Sequence, residues 1–120
     1  MDSYRELTVW QKSVDLCVLL YKLTETFPKS ELYGLVSQMR RCCVGIPSNI
    51  AEGQRRGHRT EYIQFLRIAY GSGAELETQI LIAFKIGYLS QEDHVTLVQT
   101  MDEIMKMLNR LINKLLQPTT

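Results

Sequence analysis

Six arginines between residues 40 and 67 (Arg40, Arg41, Arg55, Arg56, Arg59 and Arg67), with His58 among them, are the groups in this chain best suited to holding phosphate. A guanidinium is planar, always charged and bidentate toward phosphate oxygens, and Gly53 and Gly57 flank the Arg55–Arg56 pair, so the turn there can approach a nucleic-acid backbone. A solvated turn whose cations pair with carboxylates of the same chain is the plainer reading of these residues. The formal net charge is only +1, yet residues 31–67 hold six arginines against three glutamates, while residues 68–120 hold four basic against six acidic groups. The chain is polarised rather than basic. An oligomer would repeat the patch at every protomer and multiply its field.

Other constellations point to structure rather than chemistry. Gln38, Arg41, Asn49 and Glu52 share one helical stripe beside an apolar one, and Arg41 is expected to meet Glu75 or Glu77 in a buried or interfacial ion pair that fixes register. Glu52 and Glu75 are the one conceivable acid–base pair, but neither a nucleophile nor a metal ligand accompanies them, so no catalytic residue is assigned. Gly71, Ser72, Gly73 and Ala74 fall in the middle of a helical pattern, where each glycine costs about 1 kcal/mol relative to alanine. The segment follows no strand and lacks the P-loop lysine, so close helix approach, within a bundle or between protomers, is the better reason for it.

His58 and His94 stand alone, and Cys17, Cys42 and Cys43 offer no CxxC spacing, the only close pair being adjacent in sequence. No metal, disulfide or cofactor is expected. Trp10, Tyr21, Tyr33, Phe65 and Tyr70 could stack bases, although aromatics at helical spacing suit a core or an interface.

The elements that must position these residues are four helices. The first, over residues 4–26, carries Leu7, Trp10, Val14, Cys17 and Tyr21 on one stripe and Leu16, Leu20, Leu23 and Phe27 on another, which predicts two apolar faces. Ser30 is placed to cap the second, whose face is Leu32, Leu35, Met39, Cys43, Ile46 and Ile50, with a kink rather than a break expected at Pro47. The third, over residues 60–86, repeats Tyr62, Leu66, Ala69, Gly73, Leu76, Ile80 and Ala83 at heptad spacing and ends on Gly87 in a left-handed cap. Ser90 and Asp93 open the fourth, followed by Leu97, Met101, Ile104, Leu108, Leu111 and Leu115, widened by Val98, Met105 and Ile112. Short connections make these neighbours antiparallel, so the fold class expected is all-α, an up-down-up-down four-helix bundle forming one domain over residues 1–120.

Hydrophobic residues make up 45% of the chain and charged residues 22%, which excludes a disordered tail, and 120 residues suffice for one core but not two. The longest apolar run, residues 16–21, is far short of the roughly 20 residues of a membrane span. Asp2, Arg5 and Glu6 do not read as the start of a secretory leader, so a cytoplasmic protein with no membrane partner is expected.

Certain words of the sequence carry a resemblance. These are Leu7-Thr8-Val9-Trp10-Gln11-Lys12, then Tyr33-Gly34-Leu35-Val36-Ser37-Gln38-Met39-Arg40-Arg41, and Ile46-Pro47-Ser48-Asn49-Ile50-Ala51-Glu52-Gly53. Phe65-Leu66-Arg67-Ile68-Ala69-Tyr70-Gly71-Ser72 and Glu75-Leu76-Glu77-Thr78-Gln79 complete the set. Together they resemble the four-helix proteins of 23S rRNA intervening sequences over residues 4–90, and the last helix matches in pattern only. The resemblance implies a bundle that assembles as a homopentameric ring. It also implies a distant similarity to the accessory variability determinant proteins of diversity-generating retroelements, which bind nucleic acid and a reverse transcriptase. Where such relatives usually place a serine three residues before the glutamate that starts the third helix, this chain has His58 before Glu61, so Thr60 is expected to take over the cap.

These readings combine into one expectation: a non-enzymatic, homo-oligomeric scaffold, pentameric by resemblance. It would contact RNA, DNA or a reverse-transcriptase-like partner through the arginine-rich region. The alternative is a structural or protein-interaction ring without a nucleic-acid role, joined through the first helix and the Gly71–Ala74 segment.

Overall fold

The computed structural model describes residues 3–118. They form two 3-10 turns, Tyr4–Glu6 and Lys29–Glu31, and four α-helices: α1 (Thr8–Thr24), α2 (Leu35–Arg55), α3 (Arg59–Lys85) and α4 (Gln91–Leu116). The helices pack as a bundle 52 Å long. Each helix lies against its neighbours in the chain, the α2–α3 contact is the most extensive, and α4 closes back on α1. No helix among the described residues is long and apolar enough to cross a membrane.

The α3 seam is the one its heptad pattern predicts. Leu66, Ala69, Gly73, Leu76, Ile80 and Ala83 are all buried, with Tyr62 packed beside them. Its end is a Schellman cap: Gly87, at φ 90°, donates its N–H to Phe84 O, and Tyr88 N–H reaches Ala83 O at 2.9 Å. Ser90 then caps α4, its hydroxyl accepting from Asp93 N–H at 3.1 Å. Along α4, Leu97, Met101, Ile104, Met105, Leu108 and Ile112 are buried, whereas Val98 is exposed.

Of the two apolar stripes expected on α1, one is the core face and the other flanks it. The buried row is Val9, Ser13, Leu16, Leu20 and Thr24, continuing to Phe27, so the Leu16–Leu20–Phe27 stripe is core. Leu7, Trp10 and Cys17 only flank it, and Tyr21 is exposed. The apolar pattern leaves this row incomplete because two of its positions are hydroxyl residues. Ser13 Oγ donates to Trp10 O at 2.9 Å and Thr24 Oγ1 to Leu20 O at 2.8 Å, so both enter the core with their polar atoms satisfied by their own helix.

Two expected caps also differ. Ser30 lies in the Lys29–Glu31 turn, Leu32 is exposed, and α2 starts at Leu35 after Gly34, where Glu31 Oε1 accepts from Leu35 N–H at 3.4 Å. Thr60 lies inside α3, whose N-cap is His58 with no side-chain capping bond. Pro47 does not divide α2, which runs unbroken to Arg55 with the proline buried on its core face.

Glycines bring α2 and α3 together. A Cβ placed on Gly53 would stand 2.5 Å from Phe65 Cβ, and one on Gly45 would stand 3.2 Å from Ser72 Oγ. Gly73 lies directly against Met105 of α4, while Gly71 faces open space. Of the two mid-helix glycines, only Gly73 is thus required by packing inside the bundle. Helix α3 also carries apolar side chains beyond its core seam: Ile68, Tyr70, Leu81, Ile82 and Ile86 are exposed.

Candidate functional site

The arginine-rich region does not form one patch. Arg40 is used inside the fold. Its Nε donates to Thr24 Oγ1 at 3.0 Å, an Nη to Tyr21 O at 3.3 Å, and the guanidinium lies 4.4 Å from the Tyr21 ring centre. There it satisfies the Tyr21 carbonyl in the last turn of α1 and complements that helix terminus. Fifteen residues of α2 separate it from Arg55, roughly 22 Å at 1.5 Å per residue. Arg41, beside it, and Arg67, on α3, are exposed, with no side-chain partner among the described residues.

Arg55, Arg56, His58 and Arg59 do gather, at the end of the bundle where the α2–α3 turn meets the start of α1 and the end of α4. Gly57, at φ 77°, permits the reversal. Arg55 lies over the Tyr4 ring at 5.3 Å, with Arg5 over the same ring at 5.4 Å. Arg56 pairs with Glu52 at 2.9 Å and Glu61 at 3.7 Å, and sits 5.1 Å from the Phe65 ring centre. Arg59 reaches across to α4, its Nε donating to Leu115 O at 2.5 Å and an Nη to Gln117 O. His58 is exposed at the turn.

Residues unnoticed in the sequence join this end: Tyr4 and Arg5 from the first turn, and Lys114 from the last turn of α4, with Arg110 one turn before it on the same side. Basic Arg5, Arg55, Arg56, Arg59, Arg110 and Lys114 outnumber acidic Glu6, Glu52 and Glu61, and two of those acids are already paired with Arg56. Tyr4 and Lys114 lie far from the arginine run in sequence, so only the packing of helix ends reveals their association.

The polar stripe of α2 resolves into separate contacts. Gln38 is exposed, Asn49 donates to Gly45 O at 2.7 Å, and Glu52 belongs to Arg56. Among the described residues no ion pair joins Arg41 to Glu75 or Glu77 within the protomer. Glu75 instead accepts from Cys42 Sγ at 3.7 Å, and Gln79 Nε2 donates to that sulfur at 3.5 Å. Glu77 lines a groove between α3 and α4 with Leu81, His94 and Val98, where burial, and then the charge of Asp102, pushes its carboxyl above the usual range. Ser72 faces Gly45, and Gly71 points away from the core, so the Gly71–Glu77 segment is not one site.

Two of the three cysteines are poor nucleophiles, whereas the hydrogen bond with Cys43 lowers the Cys17 thiol below its ordinary range. The Cys43 thiol is held far above its ordinary range by its hydrogen bond with Cys17 and by burial, and burial is also the first cause raising Cys42. His94 stacks flat on Phe84, with ring centres 4.0 Å apart.

Among curated proteins none matches the sequence. The fold matches the 1.70 Å crystal structure of a protein with unknown function from the S23 ribosomal protein family of Bacteroides thetaiotaomicron VPI-5482, with a TM-score of 0.81. That match covers 88% of this chain and 95% of the other at 24% sequence identity, a level at which the likeness speaks for the fold alone. Residues 5–110 match the family model of 23S rRNA-intervening sequence proteins, a span that takes in α1 to α3 and most of α4. With that span covered, and the four-helix bundle in place, the chain belongs to the 23S rRNA-intervening sequence protein family.

Proposed function

We propose that this protein is a non-enzymatic, homo-oligomeric scaffold, pentameric in the expectation above, that contacts RNA or DNA through the basic end of its bundle. The observation that carries the reading is the convergence of Arg55, Arg56, His58 and Arg59 with Arg5 and Lys114 at one end of the rod. Up-down-up-down helix order accounts for it, because that order brings the α2–α3 turn beside the first residues of α1 and the last turn of α4. The exposed apolar residues of α3 supply surface for self-association, since Ile68, Leu81, Ile82 and Ile86 are surplus to the core of one bundle.

Anisotropy titration of a labelled single-stranded oligonucleotide at several salt concentrations tests nucleic-acid binding. Affinity that falls linearly on a log–log plot as salt rises is expected, and no binding at low salt refutes the nucleic-acid half. A protein-interaction ring without nucleic acid remains if light scattering still finds an oligomer. A monomer at micromolar concentration removes both readings.

A further inference from the structure

Beside the basic end, a pocket of about 210 Å³ lies between Leu7 at the N-cap of α1, Gln54 of α2, Tyr62 of α3 and Leu111, Lys114 and Leu115 of α4. Three leucines make its walls. Its polar groups are a carboxamide, a phenol and an ammonium, and all four helices contribute. We propose that this pocket receives an unstacked nucleobase of a single-stranded nucleic acid whose phosphates lie on the neighbouring Arg55 and Arg59. The inference rests on the nucleic-acid reading above and adds to it the part of the ligand recognised and the residues that recognise it.

Three observations support it. The first is an incomplete polar group. Gln54 Oε1 is enclosed and has no hydrogen-bond partner among the described residues, although a buried carboxamide oxygen is costly to leave unmatched. A glutamine side chain presents a donor and an acceptor in one plane, which is the complement of a base edge, and bases in single strands expose such edges. Rotation of the carboxamide about its terminal bond would bring that acceptor to a base.

The second is the character of the walls. Leucine side chains and a phenol ring form the apolar, partly aromatic surface that the face of a base prefers, and burial pushes the Tyr62 hydroxyl above its ordinary range. The third is charge. Lys114 stands on the pocket wall, and Arg59 holds the carbonyl of Leu115, another wall residue, which places its guanidinium at the rim. Arg55 lies over Tyr4, three residues before Leu7. A base in the pocket therefore has Lys114 on its wall, and Arg59 bound to a wall residue, to meet its phosphates. Duplex DNA or RNA, with its bases stacked and paired, cannot make this contact without opening.

The test compares two labelled oligonucleotides of equal length and charge, one with bases and one made of abasic units, by anisotropy at low salt, in ribose and deoxyribose forms. The base-bearing strand is expected to bind roughly tenfold or more tightly, in line with the usual worth of one stacked base. Gln54→Met, which keeps side-chain length, is expected to lose most of that preference while the abasic strand binds as before, with thermal melting used to verify the fold. Equal affinity of the wild-type protein for both strands overturns the pocket and leaves the arginine contact standing. Failure of both strands to bind overturns the two together. Adding adenosine to wild-type protein and following the Gln54 side-chain amide by NMR gives a check that needs no variant: a shift is expected, and its absence up to solubility counts against the pocket.

Discussion

Replacing Gly53 by alanine tests the close approach of α2 and α3. The new Cβ would stand 2.5 Å from Phe65 Cβ and 3.3 Å from Phe65 Cγ and Tyr62 Cδ1. Carbon atoms pack at about 3.5–4.0 Å, so the pair is short by about 1 Å. Phe65 Cβ is fixed to the α3 backbone and cannot swing away as a side-chain tip would, so α2 and α3 must part along their contact. Overpacking of this kind costs about 1–3 kcal/mol, against about 1 kcal/mol gained from alanine's helix propensity. The upper part of that range applies because the obstacle is attached to backbone, which leaves a net loss of about 1–2 kcal/mol. For a chain of this size that is a fall in melting midpoint of roughly 4–8 °C. Gly71→Ala is the internal control: its Cβ meets nothing within 4 Å in the protomer, so propensity alone acts and the midpoint should rise by about 4 °C. Both variants are followed by far-UV circular dichroism at one protein concentration, since self-association would make the midpoint concentration-dependent. If Gly53→Ala raised the midpoint as much as Gly71→Ala, the reasoning about the α2–α3 contact would be refuted.

Three further outcomes are expected. Neutralising Arg5, Arg55 or Lys114 singly to glutamine should reduce the slope of log affinity against log salt by about 0.7 for each lost phosphate contact on a single strand, whereas Lys85→Gln should leave the slope unchanged. Ser90→Ala should lower stability by about 1 kcal/mol through loss of the Asp93 N–H bond, measured by urea denaturation. The Glu77 carboxyl has a folded pKa above its unfolded value, so its ionisation destabilises the fold as pH rises. Glu77→Gln should therefore stabilise at neutral pH, with the gain disappearing as pH falls below the carboxylate range. A gain that grew in acid would contradict the assigned cause.

The core seam of α3 is legible because it is both apolar and strictly periodic, from Leu66 to Ala83. The Gly87 cap and the Ser90 cap were legible because each is local chemistry spanning a few residues. On α1 the Leu16–Leu20–Phe27 stripe is legible but its row is not complete, since Ser13 and Thr24 look like surface residues until their hydroxyls are seen bonded to their own helix. The Ser30 cap failed because Lys29–Glu31 forms a separate 3-10 turn that delays α2 to Leu35. At the candidate site, residues 55–59 share one turn, as their adjacency in sequence requires, whereas composition alone groups Arg40, Arg41 and Arg67 with them. Nothing in the sequence distinguishes Arg40 from Arg55, yet the first closes the end of α1 while the second stands at the opposite end of α2. Arg5 and Lys114 were missed for the converse reason: their neighbours are close in space and remote along the chain.

The hold of Arg59 on the carbonyls of Leu115 and Gln117 ties the start of α3 to the final turn of α4. A phosphate that claims this guanidinium takes it from those carbonyls, so ligand occupancy and fraying of the α4 terminus become linked equilibria. Hydrogen exchange at the last amides of α4 should then quicken when the basic end is occupied, making the C-terminal turn a built-in reporter of binding.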